Sequence, residues 1–107
     1  MERPGSWEVE RDGDSVIARF GGYLSAENGR EAVEAFVAAI GDDHVVAVFD
    51  LRQMEGYASG ARRIWTENLR PLRPQLDRIE LIGGNALVRM GGSVLGALIG
   101  VPVVNRS

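Results

Sequence analysis

The sequence predicts a small α/β layer fold: a mostly parallel central sheet with an N-terminal β-hairpin edge, and three helices. Three observations carry that prediction. Residues 7–20 alternate apolar and polar side chains on both sides of Asp12-Gly13, which is the pattern of a hairpin. HVVAVFD at 44–50, a short continuous apolar run, reads as a strand buried on both faces, and RIELIG at 78–83 reads as a further buried strand. Stretches of helical periodicity alternate with these strands, so parallel pairing with right-handed crossovers is expected. The chain has 107 residues, enough for one core, and 1–107 reads as a single domain without repeats or linkers.

Taken in order, Trp7 and Val9 alternate with Glu8 and Glu10 on the first strand, and Val16, Ala18 and Phe20 mark the return strand. Ser25 is placed to cap the first helix, with Glu27 in its first turn, where the helix dipole favours an acid. Val33, Phe36, Val37 and Ile40 follow at helical spacing, and Gly41 ends the run. The strand 44–50 leads through a loop to a second helix that starts near Ser59. That helix carries Ala61, Trp65, Leu69 and Leu72 on one face, until Pro71 and Pro74 kink or end it. After the strand RIELIG, Asn85 is the expected cap of the last helix, Gly100 its C-terminal glycine and VPVV (101–104) a candidate final strand.

The last helix has two distinct sides. Leu87, Met90, Val94 and Leu98 make an apolar face that is expected to cover the sheet. Gly92, Gly96 and Gly100 recur every four residues on another side. That side would admit a second copy of the chain, giving a homodimer through the last helix; the competing reading is close packing on its own sheet.

Composition narrows the function classes. A net charge of −3 argues against a general nucleic-acid binder, which needs a positive field. All 12 basic residues are arginine, so every cation can make bidentate contacts. There is no cysteine, hence no disulfide or thiolate chemistry. The charged start MERPGSWEVE lacks the apolar core of a signal peptide, which makes a cytoplasmic protein the expectation. The longest uncharged stretch, Met90 to Asn105, is short for a membrane span and is broken by Pro102.

The order of elements and motifs resembles the STAS domain, the family of anti-sigma-factor antagonists and of the cytoplasmic tails of sulfate transporters. The likeness covers nearly the whole chain and rests on VVAVFDL, RQMEGYA, Ser59-Gly60, IELIGG and LIGV in that order. It implies a bacterial regulatory module without catalytic activity or cofactor, acting on a protein partner such as a regulatory kinase or a scaffold. In the antagonists an Asp-Ser-Ser-Gly motif holds the phosphorylated serine, which by position is Ser59. Here Tyr57 and Ala58 replace the acid and the first serine.

Several residues at this corner allow a structural and a functional reading side by side. Ser59 is either a helix cap or a regulatory serine, whose phosphate would meet the positive helix end with Arg62 or Arg63 in reach. A catalytic serine is disfavoured, because the sole histidine, His44, falls at the opposite end of its strand. Asp50 with Glu55 could serve as metal ligand or base, but a structural pairing with Arg52 is favoured, since no His or Cys joins them. Trp65 reads as core and Tyr57 as an exposed interface anchor. Gly60, Arg62 and Arg63 complete the expected docking surface at residues 50–63. The glycine-rich IGGNA at 82–86 is a tight turn or an anion site. The alternative function is a small-molecule binder holding a nucleotide or lipid over the carboxyl ends of the strands; it requires a concave apolar pocket there.

Overall fold

Alternating side chains let β1 (Ser6–Asp12) and β2 (Ser15–Leu24) pair antiparallel around the Asp12-Gly13 turn, where Gly13 takes a positive φ of 60°. Then follow α1 (Ala26–Ile40), β3 (Val45–Tyr57), α2 (Ser59–Leu69), β4 (Leu76–Ile82), α3 (Ala86–Ile99) and β5 (Val103–Arg106). A computed structural model describes residues 3–106 of the chain. The five strands form one sheet in the order β1-β2-β3-β4-β5, parallel everywhere except at the hairpin. The expected architecture is present, closing strand included.

The caps of α1 and α3 are also as expected. Asn28 N–H donates to Ser25 Oγ at 3.1 Å, and Val88 N–H donates to Asn85 Oδ1 at 2.9 Å. Gly41 and Gly100 end these helices with positive φ. α2 ends at Leu69, and the proline-containing segment Arg70–Gln75 continues as a 3₁₀ helix into β4.

All three helices lie on one face of the sheet. The core joins Val16, Ala18 and Phe20 of β2, Ala47, Phe49 and Leu51 of β3, and Ile79 and Leu81 of β4 to the inner sides of the helices. Trp65 is its hub, stacked edge-on against Phe20 at 5.5 Å and Phe49 at 5.4 Å, and tilted against Phe36 at 5.1 Å. α1 and α2 approach closely because Gly29 faces Ala61; a β-carbon at Gly29 would stand 2.9 Å from Ala61 Cβ.

One expectation is met by unequal cover and one fails. β3 is buried from Val45 to Leu51, but helices cover only one of its faces. On the other, Val48 stands between Ile17 and Glu80 in register, and Asp50 between Arg19 and Ile82. The burial expected on both faces is therefore present, with side chains of the neighbouring strands beside β3 on the face that no helix covers.

α3 is turned the other way round. Leu87, Met90 and Leu98 are 59%, 62% and 48% exposed. The glycines face inward: a β-carbon at Gly92 would come within 2.9 Å of both Leu81 methyls, and one at Gly96 would overlap Val103 Cγ2. The glycine side is therefore occupied by the helix's own sheet and is not open to a second copy. That side also carries Val88, Leu95 and Ile99, which are buried in the core, and the glycines among them let the helix axis settle close to β4 and β5.

Candidate functional site

The corner at the start of α2 is built by a strand longer than its apolar run. β3 does not stop at Leu51. It continues to Tyr57, pairing Gln53, Met54, Gly56 and Tyr57 with Gly21, Gly22, Tyr23 and Leu24 across two register shifts. The segment expected to be a loop is thus an edge-to-edge extension of the sheet. Ala58 N–H still donates to Leu24 O at 2.9 Å, and the helix begins on the next residue.

This shifts the cap. The cap position of α2 is Ala58, with φ −75° and ψ 145°, and no side chain there bonds the first-turn amides. Ser59 is the first helical residue and is exposed. The expected role of Ser59 as the cap is therefore corrected: sheet pairing runs one residue further and places an alanine where the cap belongs. Its expected place in the first turn, with an exposed side chain, stands.

Gly60 is half-buried where α2 meets the start of α1; a β-carbon there would stand 3.2 Å from Ala26 Cβ. Arg62 is half-buried and Arg63 exposed. Among the described residues neither forms an ion pair.

Of the remaining candidates, Tyr57 lies beneath this corner and Asp50 away from it. Tyr57 is half-buried and packs against the core, its ring lying where a β-carbon on Gly91 would go. It braces α3 against β3 and is not an exposed anchor. Asp50 points to the helix-free face of the sheet. Arg52 donates to it through Nε at 3.0 Å, through Nη2 at 2.7 Å and through its backbone N–H at 3.2 Å, while Arg19 Nε lies 3.8 Å away. The hydrogen-bonded Arg52 guanidinium holds the Asp50 carboxyl below its usual range, against the opposing effect of burial. This is the structural pairing expected for Asp50.

Glu55 accepts from Arg3, at 3.2 Å from its backbone and 2.6 Å from its Nε, and is likewise held low by these bonds. His44 is exposed at the start of β3, separated from Ser59 by a 13-residue strand, roughly 40 Å of chain. No group of three or more metal-ligating side chains occurs among the described residues. The glycine turn at 83–84 is tight, with φ of 63° and 92°, and Arg52 and Leu51 pack against it.

Two concave features adjoin the corner. An almost wholly apolar cleft of about 60 Å³ opens between α2 and α3, lined by Met54, Tyr57, Arg62, Trp65, Val88 and Leu95 among others. The indole N–H of Trp65 is buried with no polar partner among the described residues. Beside the cleft runs an open groove of about 250 Å³, with Ser59, Arg62, Arg63, Thr66, Glu67 and Arg70 on one side and Leu98 of α3 on the other. The exposure of the apolar side of α3 was not expected from the sequence. One available signal was the scarcity of acids, since α2, the 3₁₀ segment and α3 hold five arginines and only one acid, Glu67.

No protein-family model and no curated protein matches the chain. Solved structures do. An uncharacterised protein of the DUF3478 family from Shewanella loihica PV-4, described as having a SpoIIAA-like fold, superposes with a TM-score of 0.66 at 16% identity, over 100% of this chain and 88% of that one. An anti-sigma factor antagonist from Mycobacterium paratuberculosis superposes with a TM-score of 0.60 at 17% identity, over 94% of this chain and 86% of that one. The chain has a STAS-like fold, as the motif order implied. Among the described residues no helix is long and apolar enough to cross a membrane.

Proposed function

We propose that this chain is a regulatory module without catalytic activity that docks a protein partner through the start of α2. The observation that carries the reading is local. An exposed serine stands in the first turn of a helix that lacks a side-chain cap, with Arg62 and Arg63 unpaired among the described residues close behind it. A phosphate or a partner carboxylate at Ser59 would meet bare amides, the positive helix end and two guanidinium groups. Ser59, Gly60, Arg62 and Arg63 form this surface. Asp50, on the other sheet face, does not belong to it, and Tyr57 acts beneath it. A regulatory kinase or a scaffold protein in the cytoplasm is the partner class that the fold suggests. The separation of His44 from Ser59 supports a non-catalytic serine.

The small-molecule alternative has the apolar cleft between α2 and α3 in its favour. Its volume weighs against it, because about 60 Å³ falls well short of the roughly 300–1,000 Å³ of ordinary ligand pockets. A nucleotide or lipid does not fit; a single apolar side chain does.

Partner capture from the native host with wild-type, Ser59→Ala and Ser59→Asp chains, read by mass spectrometry, tests the proposal. The expected result is a protein held by the wild type and lost with Ser59→Asp, whose charge repels an acidic partner. Equal capture by all three would remove Ser59 from the docking surface.

A further inference from the structure

The twelve arginines divide by location. Arg3, Arg11, Arg19, Arg30, Arg52, Arg78 and Arg106 all form ion pairs. The other five, Arg62, Arg63, Arg70, Arg73 and Arg89, all lie on α2, the 3₁₀ segment and α3, and none of them forms an ion pair among the described residues. Arg70 and Arg73 donate to carbonyls at the end of α3, those of Leu98 and Gly100. Arg62, Arg63 and Arg89 make no side-chain hydrogen bond among the described residues. In a chain of net charge −3, one flank thus sets five arginines against a single acid, Glu67, and carries an excess of positive charge.

The same flank holds the largest exposed apolar side chains. Leu87, Met90 and Leu98 recur at helical spacing along α3, with half-buried Val94 between them. Leu98 and the arginines of α2 line opposite walls of one groove, and the apolar cleft opens beside it between the same two helices. One wall is basic, the other apolar, and the hole beside them has the size of a side chain.

We infer that the α2–α3 groove binds an acidic amphipathic helix of a partner protein. Its apolar residues would lie on Leu87, Met90 and Leu98 with one inserted into the cleft, and its carboxylates would pair with Arg62 and Arg63. The inference deepens the proposed docking role by naming the chemistry of the partner, and extends the surface from the Ser59 corner along α3. A concave site between two helices suits a helix better than a flat lipid surface, and the charge imbalance selects an acidic one.

The test uses the full chain and a synthetic helical peptide with Leu on one face and Glu on the others, together with a control carrying Lys at every Glu position. Fluorescence anisotropy is expected to show saturable binding of the acidic peptide only, weakened by added salt. Met90→Glu and Arg63→Glu, both at exposed positions and checked by circular dichroism for an intact fold, are each expected to weaken it about tenfold or more. Equal binding of both peptides, or unchanged binding by the two variants, overturns the inference. So does co-sedimentation of wild type with phosphatidylglycerol vesicles without peptide binding, which would assign the surface to a membrane. A dimer broken by Met90→Glu, again without peptide binding, would assign it to a second copy. Failure here is separable from failure of the docking proposal. Host-partner capture that is lost with Ser59→Asp but kept with Met90→Glu would retain the corner and remove the groove.

Discussion

Replacing Gly96 with alanine separates the two readings of the last helix by the sign of a stability change. If the glycine side of α3 were open, Gly96→Ala would stabilise the helix by about 1 kcal/mol through helix propensity alone. In the structure the new β-carbon overlaps Val103 Cγ2 on β5 and lies 3.2 Å from Val101 O. The valine could shift, but the carbonyl belongs to backbone that also accommodates the tight turn after Gly100, and it gives less easily. Overpacking of this kind costs about 1–3 kcal/mol, and contact with backbone places Gly96 toward the upper end. The net expectation is a loss of about 1–2 kcal/mol, and each kcal/mol lowers the melting temperature of a domain this size by roughly 4–8 °C. Gly92→Ala, which meets only the flexible methyl ends of Leu81, is expected to lose less. Thermal and urea unfolding of both variants measure this. A cycle with Val103→Ala is expected to recover part of the Gly96→Ala loss, with a coupling of about 1 kcal/mol. An unchanged or raised melting temperature for Gly96→Ala would refute the seating of α3 on β5.

Ser59→Ala is expected to change stability by less than about 0.5 kcal/mol, because the residue is exposed and does not cap α2; urea unfolding that showed a loss near 1 kcal/mol would restore it as a cap. Asp50 has a folded-state acidity above its unfolded value, so its ionised form stabilises the protein above the unfolded pKa, and that contribution disappears as pH falls through the lower folded pKa. Asp50→Asn should thus be less stable than wild type near about pH 7, with the gap closing toward about pH 2–3; a gap independent of pH would exclude the ionic role. Amide exchange is expected to be slowest at residues 46–49 and 79–82, in the adjacent strands β3 and β4, and rapid exchange in either would contradict the sheet order.

Much of the fold was legible because its causes are local. Asp12-Gly13 makes its turn wherever the hairpin sits, Ser25 and Asn85 cap the helices that follow them, and two apolar runs between helical stretches leave few topologies for a parallel sheet. The candidate site was less legible. The apolar run of β3 ends at Leu51, yet the strand continues to Tyr57 because β2 presents Gly21 to Leu24 as a pairing edge, which no pattern inside residues 52–57 announces. That extension moved the cap to Ala58 and turned Tyr57 inward.

The sequence by itself determined the elements, their order and the ends of α1 and α3, since each depends on side chains within a few residues of one another. It also determined that α3 has an apolar side and a glycine side. Only the tertiary structure decided which of the two meets the sheet. The side that does carries Val88, Leu95 and Ile99 among the glycines, so it buries apolar side chains and allows close approach at once, and Leu87, Met90 and Leu98 are left outside. The same holds for Asp50 and Ser59. Nine residues apart, they belong to opposite faces of the sheet, because each step along a strand reverses the side chain and α2 lies over only one face.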